Sequence, residues 1–391
     1  MIRTGLEVFL EKEYRKYQGM RLGVLCHQAS VSRKLVHVSR LIHAKKLKLN
    51  VTCYFGPQHG IRGEKQDNMV ESEDFTHPKL GIPVYSLYGV TREPTPEMFT
   101  QIDTLLIDLQ DIGTRIYTFI YTMANCMRVA RALGKRIVVL DRPNPIGGVQ
   151  LEGNVLSPDL TSFVGQYPIC TRHAMTIGEL ALLFNEAFGI GCELDIIRVQ
   201  GWRRAQYSES WGRDWVSPSP NIPNAAAALV FPGMVHFEGT NVSEGRGTCR
   251  PFEAIGAPFV DADQLCDQMN RLRLPGVYFR PIYFQPTYQK AKEQVCAGAH
   301  IHVTDRKKFN AFKVGIHLLK TIAALYPKSF EWKKPPYEYE HTRMPIDLIA
   351  GTSTLRKLIE SSGDLKPLER EAESQLRDFK KLRRNFLLYR V

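Results

Sequence analysis

Thr104-Leu105-Leu106-Ile107-Asp108-Leu109-Gln110-Asp111-Ile112-Gly113-Thr114-Arg115 joins a continuous apolar run to a polar turn that contains glycine. A short apolar run bounded by turn residues reads as a strand buried on both faces, the kind found in parallel sheets. The next segment, Ile116 to Leu133, carries Ile116, Ile120, Met123, Met127 and Ala130 at helical spacing and ends at Gly134. That pattern predicts a helix closed by a glycine cap. Arg136 to Leu140 is apolar again. Strand, helix and strand in this order make a parallel βαβ unit.

The same alternation extends in both directions. Arg21 to Cys26 and Leu49 to Phe55 read as strands, with a helix expected over Val36 to Lys45. Downstream, Thr176 and Glu179 have the spacing of a capping box, opening a helix to Phe188, and Leu194 to Val199 reads as a fifth strand. The expected fold class is α/β, a doubly wound, mostly parallel sheet. Trp215 to Pro232 breaks the rhythm with Pro218, Pro220, Pro223 and Pro232 around an alanine run. The domain boundary is placed there, giving residues 1–224 and a smaller α+β domain over 225–391. The smaller domain reads as a helix (Ala262 to Leu272), two strand-like pieces (Val277 to Phe284, Ala297 to Thr304) and a helix (Phe309 to Tyr326), closed by terminal helices.

Composition excludes several classes. The chain has 391 residues, 43% of them hydrophobic and 24% charged, which is ordinary for a globular protein and too apolar for a disordered one. No run of about 18 apolar residues occurs, so no membrane span is expected. The N-terminus, Met1 to Glu13, is interrupted early by acids and reads as an amphipathic helix rather than an export signal, so a cytoplasmic location is expected. The eight cysteines include no CxxC, and free buried thiols are expected. His300 and His302 would face the same side of a strand but read as structural; no metal and no cofactor is expected. The net charge of +12 raises nucleic acid as a partner. Its only dense cluster, Arg377, Lys380, Lys381, Arg383 and Arg384, alternates with Leu376, Phe379, Leu382 and Phe386, as in a terminal helix docked by one face.

In open parallel sheets, ligands sit beyond the carboxyl ends of the strands. Four successive strand ends here lead into polar turns: His27-Gln28, Gly56 to Glu64, Asp108 to Arg115, and Asp141 to Gly148. No Gly-x-Gly-x-x-Gly follows the first strand, and no phosphate-binding loop or serine elbow is present. Carboxylates, amides and arginines suit a polyhydroxylated ligand carrying an acidic group. Tyr117 and Tyr121, one helical turn apart, would line such a site or pack in the core. A second loop, Phe237 to Thr248, has the composition of a cleft wall facing that edge.

These blocks resemble a known family. Phe55 to Gly63, Asp108 to Thr118, Asp141 to Gly148, Ser217 to Pro223 and Phe237 to Thr248 are similar, in order, to the peptidoglycan exo-β-N-acetylmuramidase family. The resemblance implies a Rossmann-like N-terminal domain, a smaller C-terminal domain and an active site between them. It implies release of terminal N-acetylmuramic acid from cell-wall fragments. Together with the N-terminal reading, a cytoplasmic recycling enzyme without nucleic-acid or membrane partners is expected. The sugar's lactyl carboxylate would pair with Arg62, Arg115 or Arg246. Gln110, Tyr117, Tyr121, Asn144, Asn221 and Asn241 are the further substrate-binding candidates.

One position departs from the family pattern. The first motif usually reads Pro-Glu-His-Gly, and here the acid is replaced by Gln58, an amide that cannot carry a proton in catalysis. Glycoside hydrolysis ordinarily needs two carboxylates. The catalytic candidates are Glu64, Glu238 and Asp111, with Gln58 and His59 beside them; Glu244 is a further acid in the second loop. Gln58 also motivates the alternative of a non-catalytic amino-sugar-binding protein.

Overall fold

The computed structural model describes residues 2–391. The N-terminal half is built on a seven-stranded sheet. In chain order its strands are β1 (Arg21–Cys26), β2 (Asn50–Gly56), β3 (Phe75–Thr76), β4 (Pro83–Ser86), β5 (Thr104–Asp108) and β6 (Arg136–Leu140). A hairpin of β7 (Glu152–Val155) and β8 (Cys170–Arg172) stands apart, and β9 (Glu193–Ile197) completes the sheet. The spatial order is β3-β4-β2-β1-β5-β6-β9, parallel except for β3. The chain grows outward from β1 in one direction and from β5 in the other. The strand order therefore reverses between β1 and β5, where open sheets leave a crevice.

The helices of this half are α1 (Gly5–Glu11), α2 (Val38–Leu41), α3 (Pro96–Thr100), α4 (Phe119–Ala132) and α5 (Ile177–Glu186). β5 is buried along its whole length, as its apolar run requires. The capping box at Thr176 and Glu179 is present.

Two expectations are corrected. The helix expected over Val36 to Lys45 shrinks to α2, because Val31 and His37 form a β-bridge and the Val38 amide bonds Ser30. α4 starts at Phe119 rather than Ile116: the Arg115 amide is taken by Thr171 and Tyr117 closes a turn onto Thr114. β3, β4, β7 and β8 carry no apolar period long enough to mark them in the sequence.

The alanine run lies inside a helix, α6 (Ala225–Met234). Asn224 caps it through the Ala227 amide, and alanine is the best helix former. The rest of the chain is β10 (Ala254–Ala257), α7 (Ala262–Arg271), β11 (Val277–Phe284), β12 (Cys296–Val303), α8 (Ala311–Leu325), α9 (Pro345–Ala350), α10 (Thr354–Glu360) and α11 (Lys366–Arg383). β10-β12-β11 form an antiparallel sheet. α6 crosses α8 at Gly233 and Gly315, where a Cβ on Gly233 would fall 1.8 Å from the Ala311 carbonyl oxygen. Only glycine permits that approach, and it fixes where the short 3₁₀ helix after α6, Val235–Gly239, is delivered. His300 and His302 share one face of β12, and Arg280 contacts both rings. No helix among the described residues is long and apolar enough to cross a membrane.

Candidate active site

The end of β2 leads into Pro57-Gln58-His59-Gly60, a turn closed by the Gly60 amide on Pro57 O at 3.0 Å. The end of β5 leads into Ile116-Tyr117-Thr118. Between them and the C-terminal half lies a cavity lined by both loops, by Ser219, Asn221 and Ile222, and by Glu238, Arg246, Tyr337 and Glu338. Its floor is aromatic: Phe231 and Phe252 meet edge to face at 4.7 Å, and the Arg246 guanidinium lies over Phe252.

The wall formed by residues 217–223 is held by the first strand end. His27 Nδ1 donates to Pro218 O at 3.0 Å, while Nε2 accepts the Gln110 amide at 2.9 Å. Burial lowers the His27 pKa to about 3, so the ring is neutral and fits both roles. Gln28 adds a bond to Ser217 O at 2.6 Å.

The electrostatic centre is Arg246. It donates to Glu238 Oε1 at 2.5 Å, and its Nε lies 3.2 Å from Glu244 Oε1. Burial would lower its pKa, but the two facing carboxylates outweigh that and raise it. Glu244 is in turn held by Lys290 at 2.7 Å. Glu238 Oε2 accepts from Tyr337 OH at 2.8 Å and from Asn68 at 3.4 Å. Opposite, Glu338 accepts from Tyr88 OH at 2.7 Å and from Gln58 Nε2 at 3.2 Å. Burial, reinforced by the charge of Glu238, pushes the Glu338 carboxyl up to about 7 against the hydrogen bonds from Tyr88 and Gln58. The Tyr117 hydroxyl is buried at this cavity without a hydrogen-bond partner among the described residues.

The structure thus brings together Gln58, His59, Tyr117, Asn221, Glu238 and Arg246 from the residues expected at the site. His59 Nδ1 bonds Lys65 O at 2.7 Å, and burial lowers its pKa to about 4.

The other expected residues lie elsewhere. Glu64 is exposed and lines a neighbouring hollow with Ser72 and Asp74. Arg62 is exposed and stacks on Phe75. Arg115 is fully buried and donates to Ile349 O and Ala350 O, tying α9 to the sheet. Tyr121 packs in the core on Phe184. Asn144 holds Met175 O, and Gln110 bridges Asp111 O and Pro143 O. Asp111 bonds the Gly113 amide beside His173, and Asn241 pins Ser329 O. All but the exposed Glu64 and Arg62 are drawn away by a backbone or core partner.

Sequence reasoning missed Glu338, Tyr337 and Tyr88. No group of three or more His, Cys, Asp or Glu among the described residues is arranged to hold a metal ion.

Comparison with known proteins accounts for the whole chain. A family model described as exo-β-N-acetylmuramidase NamZ, N-terminal, matches residues 22–226, and its C-terminal counterpart matches residues 229–389. The chain belongs to the NamZ exo-β-N-acetylmuramidase family. The peptidoglycan β-N-acetylmuramidase NamZ of Bacillus subtilis (strain 168) is 41% identical over 388 residues, covering 99% of this chain and 91% of that protein. Two crystal structures of DUF1343 family proteins from Bacteroides fragilis NCTC 9343 share the fold. One is 33% identical with a TM-score of 0.89, covering 100% of this chain and 99% of that one. The other is 24% identical with a TM-score of 0.74 over the same shares, a likeness of fold alone. The NamZ family models meet where α6 begins, between the wall at 217–223 and the loop that carries Glu238.

Proposed function

We propose that this chain is an exo-β-N-acetylmuramidase, a glycosidase that releases N-acetylmuramic acid from the non-reducing end of peptidoglycan fragments. Membership of the NamZ family supports the activity, and one observation carries it to this site. Glu238, clamped by Arg246 and Tyr337, faces a cavity at the carboxyl ends of β2 and β5 that is lined by both halves of the chain. Aromatic rings beneath and amides, hydroxyls and an arginine around it suit a sugar with an acidic substituent. Of the three arginines considered for the lactyl carboxylate, Arg246 is the one that lines this cavity. In this reading Glu238 steadies the positive charge that develops at C1 as the glycosidic bond breaks.

The test is incubation of the folded protein with 4-nitrophenyl β-N-acetylmuramide and with the β-1,4-linked disaccharide N-acetylmuramyl-N-acetylglucosamine. Release of N-acetylmuramic acid from both is expected. Binding of N-acetylmuramic acid without turnover of either substrate would overturn the activity and leave the amino-sugar-binding protein that Gln58 motivates.

A further inference from the structure

Position 58 holds an amide where family resemblance implies a carboxylate, and that amide touches another acid. Thr118 Oγ1 donates to Gln58 Oε1 at 2.7 Å, which turns the amide nitrogen toward Glu338 Oε1. Tyr88 OH holds Glu338 Oε2. The hydrogen-bond donors to Glu338 are thus neutral, and the Arg92 guanidinium stacked on Tyr339 acts on it through its charge alone, whereas Glu238 is bonded directly to a guanidinium. The two acids line one cavity in different electrostatic settings, an arrangement that separates an acid from a charge-stabilising carboxylate.

The backbone at Glu338 is unusual as well. Tyr337 and Glu340 exchange two backbone hydrogen bonds of 2.9 Å, enclosing Glu338 and Tyr339 as the central residues of a tight turn. Both have positive φ, 45° and 65°, a region favoured by glycine and asparagine. Side-chain anchors hold them there: Glu338 on Tyr88 and Gln58, Tyr339 on Glu71 at 2.8 Å. Backbone strain maintained by such contacts is characteristic of functional positions.

We propose that Glu338 is the general acid of the muramidase reaction, in place of the carboxylate that position 58 lacks. The inference rests on the activity proposed above. Glu338 gives its proton to the glycosidic oxygen as the bond between that oxygen and C1 breaks, and the bonding pair leaves with the oxygen as an alcohol. C1, now electron-poor, faces the Glu238 carboxylate. A water oxygen then bonds to C1 and its proton passes to the Glu338 carboxylate, which restores the acid. Gln58 and Tyr88 position the carboxyl group. A pKa near 7 leaves a good part of Glu338 protonated at neutral pH, as a general acid requires.

The experiment compares two leaving groups. The sugar alcohol of the disaccharide must be protonated to depart, whereas 4-nitrophenolate departs without help. Glu338→Gln is expected to slow disaccharide cleavage roughly 100- to 10,000-fold, the usual contribution of general acid catalysis. The loss on the nitrophenyl substrate is expected to be much smaller. The fall of wild-type kcat/KM above about pH 7, where Glu338 gives up its proton, is expected to vanish in Glu338→Gln. Tyr88→Phe removes a bond that favours the charged carboxylate, so it is expected to move that fall to higher pH.

Equal losses on both substrates with the alkaline limb in place would overturn the assignment, as would wild-type disaccharide cleavage by Glu338→Gln. An unmoved limb in Tyr88→Phe would overturn it by a route independent of how well Glu338→Gln folds. Wild-type protein that cleaves neither substrate would overturn the activity itself, and the assignment with it.

Discussion

Asp108 and Asp141, at the ends of β5 and β6, are buried like Glu238 and Glu338, yet of the two pairs of acids only the second lines the cavity. Asp108 is gripped by Arg142 through two bonds, 2.6 and 2.9 Å, from its own half of the chain. Asp141 accepts from the Arg142 and Gly178 amides at 2.9 and 2.8 Å, from Thr176 at 2.8 Å, and from Tyr389. Every oxygen of this pair is spent on the fold. Glu238 and Glu338 come from the C-terminal half and line a cavity, where their oxygens accept from other residues of its lining and from Tyr88. A polar turn beyond a strand therefore marks the functional edge without saying which of its acids are chemically available.

The sharpest break in this comparison comes from Glu238→Gln. The neutral amide keeps the shape but removes the charge facing C1, and kcat/KM for N-acetylmuramide cleavage is expected to fall about 100-fold or more, the scale of losing one preorganised electrostatic partner. Steady-state kinetics on both substrates measure it. A variant with near-normal turnover would mean that Glu238 belongs with the structural acids.

Asp108→Ala should behave in the opposite way. It strands the buried Arg142 guanidinium and is expected to destabilise the fold by about 3–5 kcal/mol, read as a lower urea midpoint. The protein that remains folded should cleave substrate normally. Loss of turnover without loss of stability would move Asp108 to the catalytic side.

How much of this was legible in the sequence follows the same division. β1, β2, β5, β6 and β9 announce themselves because strands buried on both faces need unbroken apolar runs. The cavity edge was legible from the turns after them, and Glu238 and Arg246 from a glycine-rich loop that could be neither helix nor core strand. Glu338 was not. It lies 280 residues from Gln58, in a proline- and tyrosine-rich turn without periodicity, and only tertiary folding joins the two. Arg115 misled for the converse reason: an arginine in a polar turn after a strand can serve backbone carbonyls of α9 as readily as a ligand.

A smaller effect is expected at Asp141. Burial, with the nearby charge of Glu179, raises its carboxyl to about 7 against the hydrogen bond from Tyr389. The unfolded chain releases this proton near pH 4, while the folded chain keeps it to about pH 7. Its contribution to stability is therefore fully present below pH 4 and is lost as pH rises toward 7. Asp141→Asn should flatten that part of a stability-versus-pH curve measured by urea titration. Tyr389→Phe removes one hydrogen bond to the same carboxyl and should cost about 1 kcal/mol at neutral pH.

The smallest effect belongs to Glu64, and it tests the division most directly. From the sequence, Glu64 is the natural replacement for the missing acid, because it shares a loop with Gln58 and lies only six residues away. In the fold, the turn at Pro57–Gly60 sends Gln58 into the cavity, whereas Glu64 emerges in solvent beside Ser72 and Asp74. Reaching C1 would require that turn to unwind. Glu64→Gln is accordingly expected to leave kcat/KM within about twofold, equivalent to the ~0.5 kcal/mol typical of a surface substitution away from special features. It should also leave the alkaline limb of the pH profile in place. A large loss on the disaccharide with little loss on the nitrophenyl substrate would instead make Glu64 the proton donor, and the loop after β2 would then have to close over the cavity during turnover.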